Sequence, residues 1–152
     1  MEYLSFLKQY VSEIGNLSGV ESQVIDEIEK HFQLKLPLAY KEYLLNFGGN
    51  TGNLLSSYYM TYPLLKENKL DVLEMINFDD RKSEKEKPFI KNSYFFFGQW
   101  QGYNFYFFDC ELGNDNPEVY ILSDGLEVSK FKNTFSDFIK DEGIKQSNIQ
   151  LK

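Results

Sequence analysis

Three observations predict an α+β fold, a single domain in which a largely antiparallel β-sheet packs against N-terminal helices and a C-terminal helix. Residues 1–49 carry apolar side chains at helical spacing. Residues 89–131 form short aromatic and β-branched runs broken by turn residues, and a last helical segment follows them. A chain of 152 residues can bury about 70% of its unfolded surface in one core. No repeat, low-complexity tract or linker divides it, so residues 1–152 read as one domain.

In order, Leu4, Leu7, Val11 and Ile14 predict a first helix that ends at Gly15-Asn16. Ser18 and Glu21 have capping-box spacing, with Ser22 a competing cap, ahead of Val24, Ile25, Ile28 and Phe32 on one face of a second helix. Pro37 suits the first position of a third, in which Tyr40, Tyr43, Leu44 and Phe47 share a face. Gly48-Gly49 stops it in left-handed conformations. Ser56 to Met60 reads as a strand, Leu70, Leu73, Met75 and Ile76 as a weak helical face, and the charged run Asp79 to Lys87 as a solvated loop. Strands are expected over Phe89 to Phe97, Tyr103 to Cys110, Val119 to Leu122 and Glu127 to Phe131. Turns fall at Gly98, Gly102, Gly113 to Pro117 and Asp124-Gly125. Thr134 to Glu142 is the closing helix, with Asn133 or Thr134 as cap and Gly143 as stop, and Lys145 to Lys152 is a polar, frayed tail.

Composition excludes several classes of function. The one cysteine, Cys110, allows no internal disulfide, and together with the one histidine, His31, it allows no zinc site built from several Cys and His ligands. A reducing cytoplasm fits best; no window resembles a membrane span, and Met1 to Gly15 lacks a signal-peptide pattern. The net charge of −7 disfavours nucleic acid and anionic membrane. That charge is concentrated: Asn92 to Ser129 contains no Lys or Arg but holds Asp109, Glu111, Asp115, Glu118, Asp124 and Glu127. A basic partner is the complement of such a stretch.

Catalytic constellations are lacking. His31 lies on a helix beside Phe32, and Cys110 ends an aromatic strand with no basic neighbour, so both read as structural. Gly48 to Asn53 follows a helix and lacks the Gly-Lys-Ser/Thr of a phosphate loop. The order Asp109-x-Glu111-x-Gly113-x-Asp115 misplaces the glycine and closing glutamate of a calcium loop, so no metal or other cofactor is expected. Ten of the fifteen residues from Tyr94 to Phe108 are aromatic, but without basic residues to track phosphates they suit a core and a protein contact better than a nucleic-acid platform. Trp100 either stands exposed at a turn, as a binding anchor, or closes the edge of the core; the residues leave both open.

A resemblance runs through these segments. Glu29, Leu36-Pro37, Tyr40, Leu44 and Gly48-Gly49 are similar to the N-terminal signature of the SUKH superfamily, whose Leu-Pro-x-x-Tyr is its sharpest piece; Phe47 stands where Asn is commoner. Phe97-Gly98, Tyr106-Phe107-Phe108-Asp109, Pro117-Glu118-Val119-Tyr120 and Phe135-Ser136-Asp137-Phe138-Ile139 resemble later family motifs in the same order, over about residues 20–142. The resemblance implies a non-catalytic α+β binding protein. Many bacterial members resemble immunity proteins that neutralise polymorphic toxins, often nucleases, and relatives include yeast cell-wall assembly regulators. The expected function is therefore a cytoplasmic immunity protein that covers the basic active-site surface of a toxin domain. Trp100 and Tyr103 would be its anchors, with Asp109, Glu111, Asp115, Glu118, Asp124 and Glu127 as its charged contacts. A non-catalytic regulatory or small-ligand module with an aromatic cleft is the alternative.

Overall fold

The computed structural model describes residues 1–147 and 149. A 3₁₀ turn (Ser5–Tyr10) runs into α1 (Val11–Ile14), followed by β1 (Leu17–Ser18), α2 (Ser22–Phe32), α3 (Leu38–Phe47) and β2 (Asn50–Thr51). After a loop and the 3₁₀ turn Leu64–Glu67 come α4 (Asn68–Phe78), β3 (Tyr94–Trp100), β4 (Asn104–Asp109), β5 (Val119–Ser123), β6 (Val128–Lys132) and α5 (Phe135–Phe138). A π-helical segment, Ile139–Ile144, extends α5. Strands β3 to β6 form an antiparallel sheet in chain order, and β1 pairs antiparallel with β2. The predicted α+β class is therefore the observed one.

Alternation along the strands sends aromatic residues to both faces of the sheet. Phe95, Phe97, Tyr106 and Phe108 pack with the N-terminal segments and α5, whereas Phe96, Phe105 and Phe107 pack with Val72 and Ile76 of α4. Tyr40 joins α3 to the larger core, its ring 5.2 Å from Phe95, 5.3 Å from Phe108 and 5.4 Å from Phe135. Such offset and edge contacts add to area burial.

Gly98 does not end its strand. It sits inside β3 at a bulge, where the register shifts between Phe96 and Gly98, so Gly98 faces Tyr106 and Trp100 faces Asn104. The extra residue reverses the alternation beyond it. Gln99 consequently turns toward α4, donating to Asn68 Oδ1 at 2.8 Å, while Trp100 packs on the opposite face against Tyr58, centroids 5.1 Å apart. A Cβ at Gly98 would lie 2.9 Å from Met60 Cγ, closer than a side chain tolerates.

Other expectations change for identifiable reasons. The first helix is mostly 3₁₀, and three residues per turn align Leu4, Leu7 and Tyr10 in the core, leaving Val11 exposed. Ser18 lies in β1, not in a capping box, and α2 starts at Ser22 without a side-chain cap. Pro37 is the extended N-cap of α3. Gly48 is right-handed (φ −66°), and a Cβ there would stand 2.7 Å from Leu44 O, so close approach rather than a left-handed turn requires the glycine. Ser56 to Met60 is irregular; its Tyr58 carbonyl accepts from the Gln99 N–H at 2.8 Å, covering the outer edge of β3. On α4, Asn68, Val72 and Ile76 are buried while Leu70 and Leu73 are exposed. Phe89 is 84% exposed, because β3 begins only at Tyr94. Thr134 caps α5 through the Asp137 N–H at 3.0 Å, as expected, but Gly143 lies within the π segment against Leu54. In the predicted tail, Ser147 accepts from the Leu55 N–H at 3.4 Å and Ile149 is buried; residues 148 and 150–152 lie outside the described residues.

Two carboxylates, buried Glu29 and half-buried Glu42, tie chain segments to the helices. Glu29 accepts from the Leu36 N–H at 2.7 Å and pairs with Lys41 at 3.4 Å, tying the end of α2 to the approach of α3. Glu42 accepts the N–H groups of Glu2, Tyr3 and Leu4, holding the N-terminal strand of chain on α3.

Two buried phenols differ in their partners. Tyr43 donates to the Met60 carbonyl at 2.9 Å, whereas the Tyr40 hydroxyl has no partner among the described residues. Replacing a paired buried hydroxyl costs about 1 kcal/mol, whereas removing an unpaired one costs nothing or stabilises. Tyr43→Phe is therefore expected to lower the urea-unfolding free energy by about 1 kcal/mol and Tyr40→Phe to leave it unchanged or raised. Equal losses at the two positions would contradict this account.

Candidate partner-binding surface

The sheet separates the six carboxylates of the acidic stretch. The β4–β5 register sets Phe107 opposite Tyr120 and Asn104 opposite Ser123. Asp109, Glu111, Asp115 and Glu118 therefore lie toward one end of the strands, and Asp124 and Glu127 lie at the other, about 20 Å away by strand rise. Trp100 and Tyr103 belong to the second end, since Trp100 pairs with Asn104 beside the β3–β4 turn.

At the first end, lysines from just outside the acidic stretch neutralise its charge. Lys91 reaches Asp109 at 3.1 Å and Glu111 at 2.7 Å, and Lys130 reaches Glu118 at 3.3 Å. Asp109 also accepts from the Glu111 N–H at 3.0 Å, capping the 3₁₀ turn Cys110–Leu112. Burial works against its charge, but Ser93, the Glu111 N–H and Lys91 together hold its carboxyl below the usual range. The hydrogen bond from Tyr120, at 2.8 Å, and then Lys130 do the same for half-buried Glu118. Asp115 is exposed, and its carbonyl accepts from the Ala39 N–H at 2.8 Å, fastening this turn to α3. Asp109, at 9% exposed, is thus scaffold rather than free surface.

At the second end, Asp124 and Glu127 are exposed and neither carboxylate forms an ion pair among the described residues. Arg81, which pairs with Asp79, instead holds the Asp124 carbonyl. Tyr103 is 39% exposed, its hydroxyl donating to Gln101 at 3.2 Å. Trp100 is half-buried, so it both closes the core edge and shows one side to solvent.

Two grooves straddle this turn on opposite faces of the sheet. On the larger-core face, a cleft of about 500 Å³ is walled by Tyr58, Trp100 and Tyr106, with Glu142 from the π segment and exposed Ser56 and Ser57 at its rim. Tyr58 donates to Glu142 Oε2 at 3.1 Å. Burial first, and the Glu142 charge second, push the Tyr58 and Tyr106 phenols well above the usual tyrosine range. On the α4 face, a groove of about 370 Å³ lies between Asp71, Glu74, Phe78 and the strand residues Gln99 and Phe105. No Lys or Arg lines either groove among the described residues. A larger cleft of about 820 Å³, beside Phe89, is lined by Lys35 and Lys91 and lacks this one-sided charge.

Reasoning from the sequence missed Tyr58, Glu142, Asp71 and Glu74. The Tyr58-Tyr59 doublet was the available signal, but it reads equally well as a strand, and the carboxylates come from helices distant in the chain. His31 is exposed on α2, its ring edge-on to Phe32 at 4.7 Å. Burial, then the Asp109 charge, push the Cys110 thiol up to about 12, so it is protonated and unreactive at neutral pH. Among the described residues no three His, Cys, Asp or Glu side chains converge as metal ligands, and no helix is long and apolar enough to cross a membrane.

The depressed Asp109 titration carries a pH dependence. A carboxylate whose folded pKa lies below its unfolded value stabilises fully above the unfolded value, near 3.9, and loses that contribution as pH falls through the folded one. Asp109→Asn is therefore expected to flatten the decline of stability below about pH 4, measured as Tm against pH. An unaltered acid limb would show that Asp109 contributes none of it.

Comparison with curated proteins gives no match. A family model does match, over residues 19–141, and is that of the SMI1 / KNR4 family (SUKH-1). It spans α2, α3, both grooves' strand walls and all of α5, so the resemblance carried by Leu36-Pro37, Tyr40 and Gly48-Gly49 is membership: the chain belongs to the SMI1/KNR4 (SUKH-1) family.

Proposed function

We propose that this protein is a non-catalytic immunity protein that acts in the cytoplasm, binding a cognate polymorphic toxin domain and covering its basic, nuclease-type active-site surface. Family membership supports an immunity-like, protein-binding role at the level of the family. The observation that carries the finer reading is the end of the sheet around the β3–β4 turn. There Trp100 and Tyr103 stand beside unpaired Asp124 and Glu127, between two grooves that hold carboxylates and no cation. A nuclease must present Lys or Arg to phosphates. An acidic rim with aromatic anchors, its one neighbouring guanidinium already engaged by Asp79, complements that surface, speeding encounter through charge and slowing dissociation through desolvated rings. Asp109, Glu111, Asp115 and Glu118 are a secondary proposed contact at the opposite end of the strands, where Lys91 and Lys130 leave them less net charge to offer.

The roughly 500 Å³ cleft beneath Trp100 favours a second reading, a regulatory module for a small ligand, because its size falls within the range of ligand pockets. The open rim of exposed serines suits an inserted side chain better than an enclosed metabolite.

A tagged pull-down from the native host at low and high salt, with captured proteins identified by mass spectrometry, tests the partner. Salt-sensitive capture of a basic nuclease-like protein is expected; a salt-insensitive regulatory partner would defeat the immunity reading. Two double variants of equal charge change then locate the surface on that partner. Asp124→Lys/Glu127→Lys is expected to slow association about ten-fold at low salt, and Glu111→Lys/Glu118→Lys about two-fold. Equal or reversed effects would move the interface away from the β3–β4 turn.

A further inference from the structure

We infer that the cleft between Trp100, Tyr58 and Glu142 is a receptor for a guanidinium group, taken from an arginine side chain that a partner protein inserts beside the β3–β4 turn. The inference deepens the partner-binding reading and rests on it for the source of the arginine.

Three features meet in this cleft. Its aromatic wall is half-buried Trp100, backed by the buried rings of Tyr58, 5.1 Å from Trp100, and Tyr106, stacked 5.8 Å from Tyr58. Aromatic faces attract cations, and guanidinium most often, because its plane stacks on a ring while its weak hydration makes desolvation less costly. A carboxylate stands among these rings. Glu142 accepts one hydrogen bond, from Tyr58 at 3.1 Å, and forms no ion pair among the described residues, which leaves it acceptor sites for a forked donor. The neighbouring cation of the same segment, Lys145, is engaged elsewhere, with Asp141 at 3.2 Å. Finally, the lining contributes only neutral polar groups besides Glu142: Asn53, Ser56, Ser57, Gln146 and Ser147. The raised phenols of Tyr58 and Tyr106 agree with a Glu142 charge felt across the cleft.

A macromolecular source follows from access and size. Asn53, Ser56, Ser57 and Gln146 are exposed around the mouth, so the cleft is open rather than enclosing. A free ligand gains affinity by being mostly enclosed, whereas a side chain arrives already held by its protein. Tyr103 and the carboxylates of Asp124 and Glu127, at the same end of the sheet, provide the surrounding contact for that protein.

Trp100 is the sole tryptophan, so its fluorescence reports on the cleft directly. The full chain is titrated with Nα-acetyl-arginine amide, with its neutral citrulline counterpart and with the free polyamine spermidine. Saturable change with the arginine amide is expected, with binding about ten-fold weaker for the citrulline compound and for Glu142→Gln at unchanged Tm. Equal responses to the arginine and citrulline compounds in the wild-type chain would overturn the inference without recourse to any variant. So would the absence of saturation, and spermidine binding tighter than the arginine amide would overturn the assignment to a side chain. None of these titrations contains a toxin. Failure here with toxin capture intact removes only the arginine receptor, and failure of capture with the arginine response intact removes only the immunity reading.

Discussion

The parity of β3 beyond Phe97 is the constraint on which the arrangement of the surface depends. Gly98 admits the bulge because no Cβ collides with Met60, and the bulge sends Gln99 and Trp100 to faces opposite those that unbroken alternation assigns. Gln99 then reaches Asn68 and Asp71 of α4, each at 2.8 Å, pinning that helix to its face of the sheet. Trp100 reaches Tyr58 and opens the cleft with Glu142 on the other. One residue without a side chain therefore links the packing of α4, the cover over the β3 edge and the aromatic wall of the candidate site.

Charge in the chain and charge on the surface are different quantities. The stretch from Asn92 to Ser129 is free of Lys and Arg, but Lys91 immediately before it and Lys130 immediately after it fold back onto Asp109, Glu111 and Glu118. At the other end, Arg81 pairs with Asp79 and holds the Asp124 carbonyl, while the Asp124 and Glu127 carboxylates form no ion pair among the described residues. Exposed pairs of this kind contribute little to stability, but they decide where the protein's field emerges. Beside the β3–β4 turn, Asp71 and Glu74 of α4 and Glu142 of the π segment line the two grooves without a lysine or arginine among the described residues.

Several acidic residues serve the backbone. Glu29, Glu42 and Asp109 each accept backbone N–H groups at or just before the start of a helical turn, at 2.7 to 3.0 Å. Backbone donors taken from water need acceptors, and a carboxylate supplies one with charge that favours the positive end of the turn beside it. Glu29 and Tyr40, both among the residues that carry the family resemblance, thus hold the helices on the sheet and are remote from the candidate cleft in role. The family motif is legible because it is scaffold, and the cleft was not legible because its residues are gathered from a loop, a strand and a terminal helix.

The sequence by itself determined the α+β class, the helical face of Tyr40, Tyr43, Leu44 and Phe47, the antiparallel aromatic strands, a cap at Asn133 or Thr134 and the family. Each follows from local periodicity, turn chemistry or the order of short motifs, which depend on neighbours along the chain. Only the tertiary structure decided that Leu4, Leu7 and Tyr10 align in a 3₁₀ turn, that Ser56 to Met60 covers an edge instead of forming a strand, and that Asn68 and Val72 face inward in place of Leu70 and Leu73. It also decided which carboxylates meet lysines and which face Trp100 takes. These outcomes rest on contacts between residues far apart in sequence, and on a single inserted residue that reverses a two-residue period, neither of which leaves a mark in the local pattern.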